Sequence, residues 1–148
     1  DIIAKRDVTI TGADLVEEVI ESARSIRPKR GNMNFEVQDV LDLTYEEAAF
    51  DVVLSMETIE HIPDEDRYLA ELRRVLRPGG ILIISTPQNS FGALPFNGIH
   101  LKEYSLSELT ELTSKYFDIE KVIGFKAGRV YFDDDPVGTN TFIVLRKR

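Results

Sequence analysis

Residues 50–61 read Phe50-Asp51-Val52-Val53-Leu54-Ser55-Met56-Glu57-Thr58-Ile59-Glu60-His61. The first six form an almost continuous apolar run, too short for a helix and of the kind expected in a strand covered on both faces. Downstream, Asp64 to Leu76 sets Tyr68, Leu69, Leu72, Val75 and Leu76 on one helical face, and Arg77-Pro78-Gly79-Gly80 stops that helix. Ile81 to Ser85 is a second strand of the buried type. After Thr86-Pro87 comes a long loop rich in Gly, Asn and Pro, to about Tyr104. Ser105 and Glu108 form a capping box that opens a helix running to about Tyr116. Two strands are expected in the tail, Ile119 to Phe125 and Thr141 to Leu145, on either side of a polar loop holding Asp133-Asp134-Asp135-Pro136.

Upstream of residue 50 the same alternation continues. Val8 to Ala13 is a short β-branched strand, Leu15 to Ile26 an amphipathic helix, and Asn34 to Val37 another strand. Strand and helix alternating in this way predict a single α/β domain over residues 1–148. Its sheet is mostly parallel, helices lie on both faces, and the C-terminal strand is antiparallel.

Composition narrows the function. The net charge is −8, which argues against a nucleic-acid or anionic-membrane surface, since both require clustered Lys and Arg. There are no cysteines, so thiolate metal sites and disulfides are excluded, and a reducing cytoplasm is the expected compartment. No apolar run approaches the roughly 20 residues of a membrane span.

Open α/β sheets bind ligands beyond the carboxyl ends of their strands. Those positions hold Asp14, Asp39 and the Ser55-Met56-Glu57 stretch. One strand-end acid accepts the two hydroxyls of a ribose, and an acid at the next strand end accepts an exocyclic amine. Asp14 also suits the N-cap of the helix that follows it.

Taken together, Thr-Gly-Ala-Asp-Leu ending at Leu15, Phe-Glu-Val-Gln-Asp-Val ending at Val40, residues 50–61, and Leu76-Arg77-Pro78-Gly79-Gly80 resemble successive motifs of the class I S-adenosylmethionine-dependent methyltransferases. The resemblance runs from about Val8 to the end. It implies a Rossmann-like methyltransferase sheet with S-adenosylmethionine as cofactor. By the same resemblance Asp14 would bind the ribose, Asp39 and the backbone of Val40 would read the adenine, and Ser55, Met56 and Glu57 would border the methionine end. Relatives sharing Glu-x-x-Glu-His and Ser-Thr-Pro-Asn include quinone-pathway and polysaccharide-biosynthesis O-methyltransferases; here the latter motif reads Ser85-Thr86-Pro87-Gln88-Asn89. The implied reaction is methyl transfer to an oxygen of a small molecule or glycan. The alternative is a non-catalytic domain of the same fold, acting as a scaffold or partner-binding unit. A nicotinamide dehydrogenase shares the strand-end acid, but this sequence has no Tyr-x-x-x-Lys pair.

The family's first strand and its glycine-rich loop precede the acid equivalent to Asp14 by about 20 residues. Only 13 residues precede Asp14, and Gly12 is the one glycine among them. The sheet is therefore expected to lack its first strand, with its neighbours closing up or with an upstream segment or a second copy in a homo-oligomer completing it.

Glu57, Glu60 and His61 have i, i+3, i+4 spacing, which on a helical turn would direct all three to one side. His100, the only other histidine, lies in the loop expected over the same sheet edge. One reading makes His61 or His100 a general base that takes a proton from an acceptor hydroxyl. A second has Glu57, Glu60 and His61 ligating a divalent metal, a donor set that suits Mg²⁺, Mn²⁺ or Zn²⁺. Small-RNA 2′-O-methyltransferases and quinone-pathway relatives have a comparable metal-binding arrangement. The third makes this stretch a polar loop that organises the next helix. Tyr104 and Phe96 are candidates to line an acceptor pocket.

Overall fold

The computed structural model describes residues 8–26, 32–89, 98–126, 129–131 and 138–148. Phe96 and the Asp133-Asp134-Asp135 run lie outside them. The elements in order are β1 (Ile10–Asp14), α1 (Glu17–Ile26), β2 (Met33–Val37), β3 (Phe50–Met56), a 3₁₀ turn (Ile59–His61), α2 (Glu65–Val75), β4 (Leu76–Pro87), α3 (Leu106–Ser114), β5 (Asp118–Lys126), β6 (Arg129–Tyr131) and β7 (Asn140–Arg146). They fall into two compact units, residues 1–44 and 45–148.

In the first unit β1 and β2 pair in parallel, Ile10 opposite Met33 through Asp14 opposite Val37. Close packing at this pair depends on Gly12, where a Cβ would stand 2.9 Å from the Phe35 ring. The Arg24 guanidinium donates to the Phe35 carbonyl at 2.6 Å, tying the end of α1 to β2.

The second unit is a five-stranded sheet in the order β3-β4-β7-β5-β6. β3 and β4 are parallel, while β7 inserts antiparallel between β4 and β5. The α/β fold and the antiparallel C-terminal strand are as the sequence predicts. The closing-up of neighbours is not: β1 pairs with β2 and β3 with β4, in separate sheets.

Register defines the core. Leu82 faces Leu145 and Ile84 faces Ile143, and all four are fully buried. Ser55 lies opposite Ile84 on that same face, and the Tyr68 hydroxyl of α2 donates to Ser55 Oγ at 2.7 Å. α2 therefore packs on this side, burying Tyr68, Leu69, Leu72 and Val75. Each such aliphatic side chain contributes about 1.5–3 kcal/mol. Burial holds the Tyr68 hydroxyl well above the usual phenol range and so un-ionised. The alternate residues of β3 differ from expectation: Val52, Leu54 and Met56 remain about half exposed, Leu54 at 57%.

β4 is longer than its apolar run because it begins directly after α2. Phe50 pairs with Leu76 across a register shift. Gly79, at φ 74°, turns its amide to the Lys147 carbonyl, and the Lys147 amide returns to Gly80. The Lys147 ammonium, buried, donates to the Leu76 carbonyl just beyond the end of α2 at 2.6 Å. The Pro-Gly-Gly stretch is thus bonded chain rather than a free loop.

The capping box at α3 forms as expected: Ser105 Oγ accepts from the Glu108 amide, and Glu108 Oε2 accepts from the Ser105 amide at 2.8 Å. The Ser105 hydroxyl and amide hold the Glu108 carboxyl below its ordinary range. A depressed carboxyl stabilises the fold above its unfolded value, and that stabilisation is lost as pH falls through the folded value. Ser105→Ala is expected to cost about 1 kcal/mol near neutral pH, read by denaturant unfolding, with the difference from wild type shrinking on acidification. A pH-independent difference would count against this account of the cap.

Candidate active site

Because β3 and β4 run in parallel with Met56 opposite Ser85, their carboxyl ends deliver Glu57 and Thr86 to the same edge. Met56 is about half exposed, whereas Ser55 is buried with its hydroxyl engaged by Tyr68. Any part Ser55 plays at this edge is therefore through its backbone.

Glu57 does not begin a helical turn. It adopts φ 49°, a left-handed conformation uncommon outside glycine, and the 3₁₀ turn starts only at Ile59. The projection expected from i, i+3, i+4 spacing therefore fails at its first member. The Glu57 carboxylate is instead held by Ser85 Oγ at 2.6 Å and Asn140 Nδ2 at 3.0 Å, while its amide donates to the Ser85 carbonyl.

Glu60 and His61 do come together, and with His100. One ligand atom from each of the three lies within 4.8 Å of the others. The His61 and His100 rings meet edge to face, centroids 5.0 Å apart. Glu60 is 1% exposed. Its Oε2 accepts from Thr86 Oγ1 at 2.9 Å, whereas the buried Oε1 has no partner. The Glu60 carbonyl accepts from the amides of Leu101 and Lys102, which draws the His100 loop over the 3₁₀ turn.

Both imidazoles are oriented through Nδ1. His61 Nδ1 lies 3.3 Å from the Ile99 carbonyl, an acceptor only, so Nδ1 is the donor in that contact. His100 Nδ1 sits 2.8 Å from a carboxylate oxygen of Glu103, a residue the sequence reading does not single out. Tyr104 is buried beside them, with its hydroxyl 3.4 Å from Glu65 and the Lys102 ammonium over its ring. Burial and the Glu65 carboxylate push the Tyr104 hydroxyl well above the phenol range.

In the first unit Asp14 and Asp39 follow β1 and β2. Asp14 Oδ1 accepts from the Val16 amide at 2.9 Å, and Asp39 Oδ1 from the Leu41 amide at 2.8 Å. Asp14 thus caps the start of α1, as its alternative reading has it. Each acid still keeps a carboxylate oxygen that takes no hydrogen bond among the described residues, as does the Val40 amide. Acceptors at successive strand ends and an open amide are the donor and acceptor types that a ribose and an adenine require.

A protein-family model for a methyltransferase domain matches residues 1–84, more than half of the chain. The chain belongs to the class I S-adenosylmethionine-dependent methyltransferases. This methyltransferase domain is 32% identical over 129 residues to a probable S-adenosylmethionine-dependent methyltransferase of Mycolicibacterium smegmatis, covering 84% of this chain and 49% of that protein. It is 31% identical over 117 residues to the ubiquinone biosynthesis O-methyltransferase of Coxiella burnetii, covering 78% and 50%. The chain thus spans about half the length of these curated relatives. The crystal structure of the [4+2]-cyclase SpnF superposes with a TM-score of 0.81 at 20% identity, over 99% of this chain and 68% of that one. That likeness shows the Rossmann-like fold alone, since one fold hosts several chemistries.

The Glu57 geometry carries a direct test. A left-handed backbone costs an alanine about 1–2 kcal/mol and a glycine almost nothing. Glu57→Ala and Glu57→Gly both lose the bonds to Ser85 and Asn140. Glu57→Gly is nevertheless expected to be the more stable by about 1 kcal/mol in denaturant unfolding. Alanine equal to or better than glycine there would contradict the left-handed turn.

Proposed function

We propose that the whole protein transfers the methyl group of S-adenosylmethionine to an oxygen of a small molecule or glycan, and that this chain supplies the adenosine-binding acids and the acceptor-activating cluster. The observation that carries the reading is the meeting of Glu60, His61 and His100 at the carboxyl edge of the sheet. The Coxiella relative is an O-methyltransferase, which supports oxygen as the acceptor atom. The family match spans residues 1–84 and so includes residues of both units.

When bound, S-adenosylmethionine supplies a methyl group on a sulfonium leaving group. Asp14 accepts the ribose hydroxyls, and Asp39 with the Val40 amide reads the adenine. His61, exposed and with Nδ1 turned to the Ile99 carbonyl, would take the acceptor hydroxyl's proton on Nε2 as the oxygen bonds to the methyl carbon. The methyl–sulfur bond breaks in that step, and the sulfur departs as a neutral thioether. Glu60, close by and with one unpartnered oxygen, stabilises the imidazolium that results. His100 packs against the same ring. Met56 and Glu57 border the methionine end, Glu57 fixed there by Ser85 and Asn140. β3 pairs only with β4 among the described residues, so its outer edge suits a strand from the remainder of the protein or from a second copy.

A second reading is favoured by Glu60 Oε1, a buried carboxylate oxygen without a hydrogen-bond donor, since such a group is costly unless a cation or donor meets it. Glu60, His61 and His100 would then hold a divalent ion, and that ion would lower the pKa of the acceptor hydroxyl.

His61→Ala in the whole protein is expected to lower methyl transfer to a hydroxylated acceptor by about 10²–10⁴-fold, measured by release of S-adenosylhomocysteine. Chelator treatment separates the two readings. Activity that survives it supports the base. Activity that falls equally far and returns with Mn²⁺, together with selective broadening of the His61 and His100 resonances, supports the ion. Full activity in His61→Ala would remove this residue from either role.

A further inference from the structure

We infer that Glu103 is a positioning residue, its buried carboxylate fixing His100 as the tautomer with the proton on Nδ1 and the lone pair on Nε2. The functional meaning of this assignment rests on the acceptor site proposed above.

Glu103 is 8% exposed, and a carboxylate so removed from water requires a donor. His100 Nδ1 provides one at 2.8 Å across an i, i+3 spacing. An ionised carboxylate only accepts, so the shared proton resides on Nδ1.

The backbone around Glu103 is held on both sides. The Leu101 and Lys102 amides donate to the Glu60 carbonyl, and the Tyr104 carbonyl accepts from the Asn89 amide at 2.9 Å. Gln88 and Tyr104 form a parallel bridge, and Ser105 caps α3. Glu103 is therefore not at the tip of a free loop. Its carboxylate is pre-placed by the end of β4, by the 3₁₀ turn and by the start of α3. The Ile99 carbonyl performs the same service for His61, so both rings of the edge-to-face pair are turned with Nδ1 toward fixed acceptors. A carboxylate behind an imidazole serves a base or a metal ligand alike, because both uses need Nε2 unprotonated.

The test is a long-range ¹H–¹⁵N histidine spectrum of the whole protein, metal-stripped, at about pH 9, where imidazoles are neutral. His61→Gln and His100→Gln assign the signals. In wild type, His100 is expected to show a protonated Nδ1 and an unprotonated Nε2. Glu103→Gln, whose carboxamide oxygen still accepts, should keep that pattern. Glu103→Leu should shift His100 toward the Nε2-protonated form that free imidazole prefers in water, leaving the His61 pattern unchanged. In methyl transfer, Glu103→Leu should lose about 10–100-fold, with Glu103→Gln retaining most of the rate.

A wild-type His100 protonated on Nε2 or on both nitrogens would overturn the assignment. So would a Glu103→Leu tautomer identical to wild type. Should Glu103→Leu fail to fold, the wild-type and Glu103→Gln spectra decide the matter. The expected tautomers in a protein inactive toward every acceptor would count against the proposed reaction and leave the role of Glu103 standing.

Discussion

The parallel pairing of β3 with β4 is the constraint on which the candidate site depends. Parallel strands end at the same edge, so Met56 opposite Ser85 obliges the residues after both strands to share a small volume. Glu57 then binds Ser85, and Glu60 binds Thr86, across the two strand ends. Were the pair antiparallel, the residues following one strand would lie at the opposite end from those following the other. The sheet's hydrophobic face anchors this arrangement. Leu82, Ile84, Ile143 and Leu145 are buried on one face of the sheet and leave the pair no other register, because a slip of one residue would turn them to solvent.

Glu60 joins that scaffold to the cluster with His61 and His100. Its side chain is pinned to β4 through Thr86, and its carbonyl pins the loop that carries His100. A buried carboxylate with an unmet oxygen is an expensive feature, tolerated where a positive charge appears beside it. An imidazolium formed on proton uptake and a divalent cation both answer that description. The same electrostatics thus underlies both readings of the cluster.

Much of this was legible in the sequence. The strand at 50–55, the amphipathic face from Tyr68 to Leu76 and the Ser105–Glu108 cap each have a local physical cause and each forms, although β3 is covered on one face rather than both. The meeting of His61 and His100 follows from topology, since both belong to segments that leave the carboxyl edge. Other features depend on partners distant in sequence. Glu57 leaves the helical projection because Ser85 and Asn140 capture its carboxylate, and residue 140 has no local signal that announces this. The Arg77-Pro78-Gly79-Gly80 stretch reads as a stop, yet Lys147 turns it into bonded chain. β6 lies in a stretch whose composition reads as polar loop. Glu103 could have been noticed as an acid three residues after a histidine, but only its burial distinguishes it from a solvated charge.

The central claim is that the acids after β1 and β2 hold the adenosine of S-adenosylmethionine, and calorimetric titration of the whole protein with S-adenosylhomocysteine tests it most directly. Saturable binding is expected, with Asp14→Ala and Asp39→Ala each weakening it by about 10–100-fold, as a lost charged hydrogen bond of about 1.5–3 kcal/mol requires. Binding left unchanged by both substitutions, or no binding to the folded whole protein, would contradict the account.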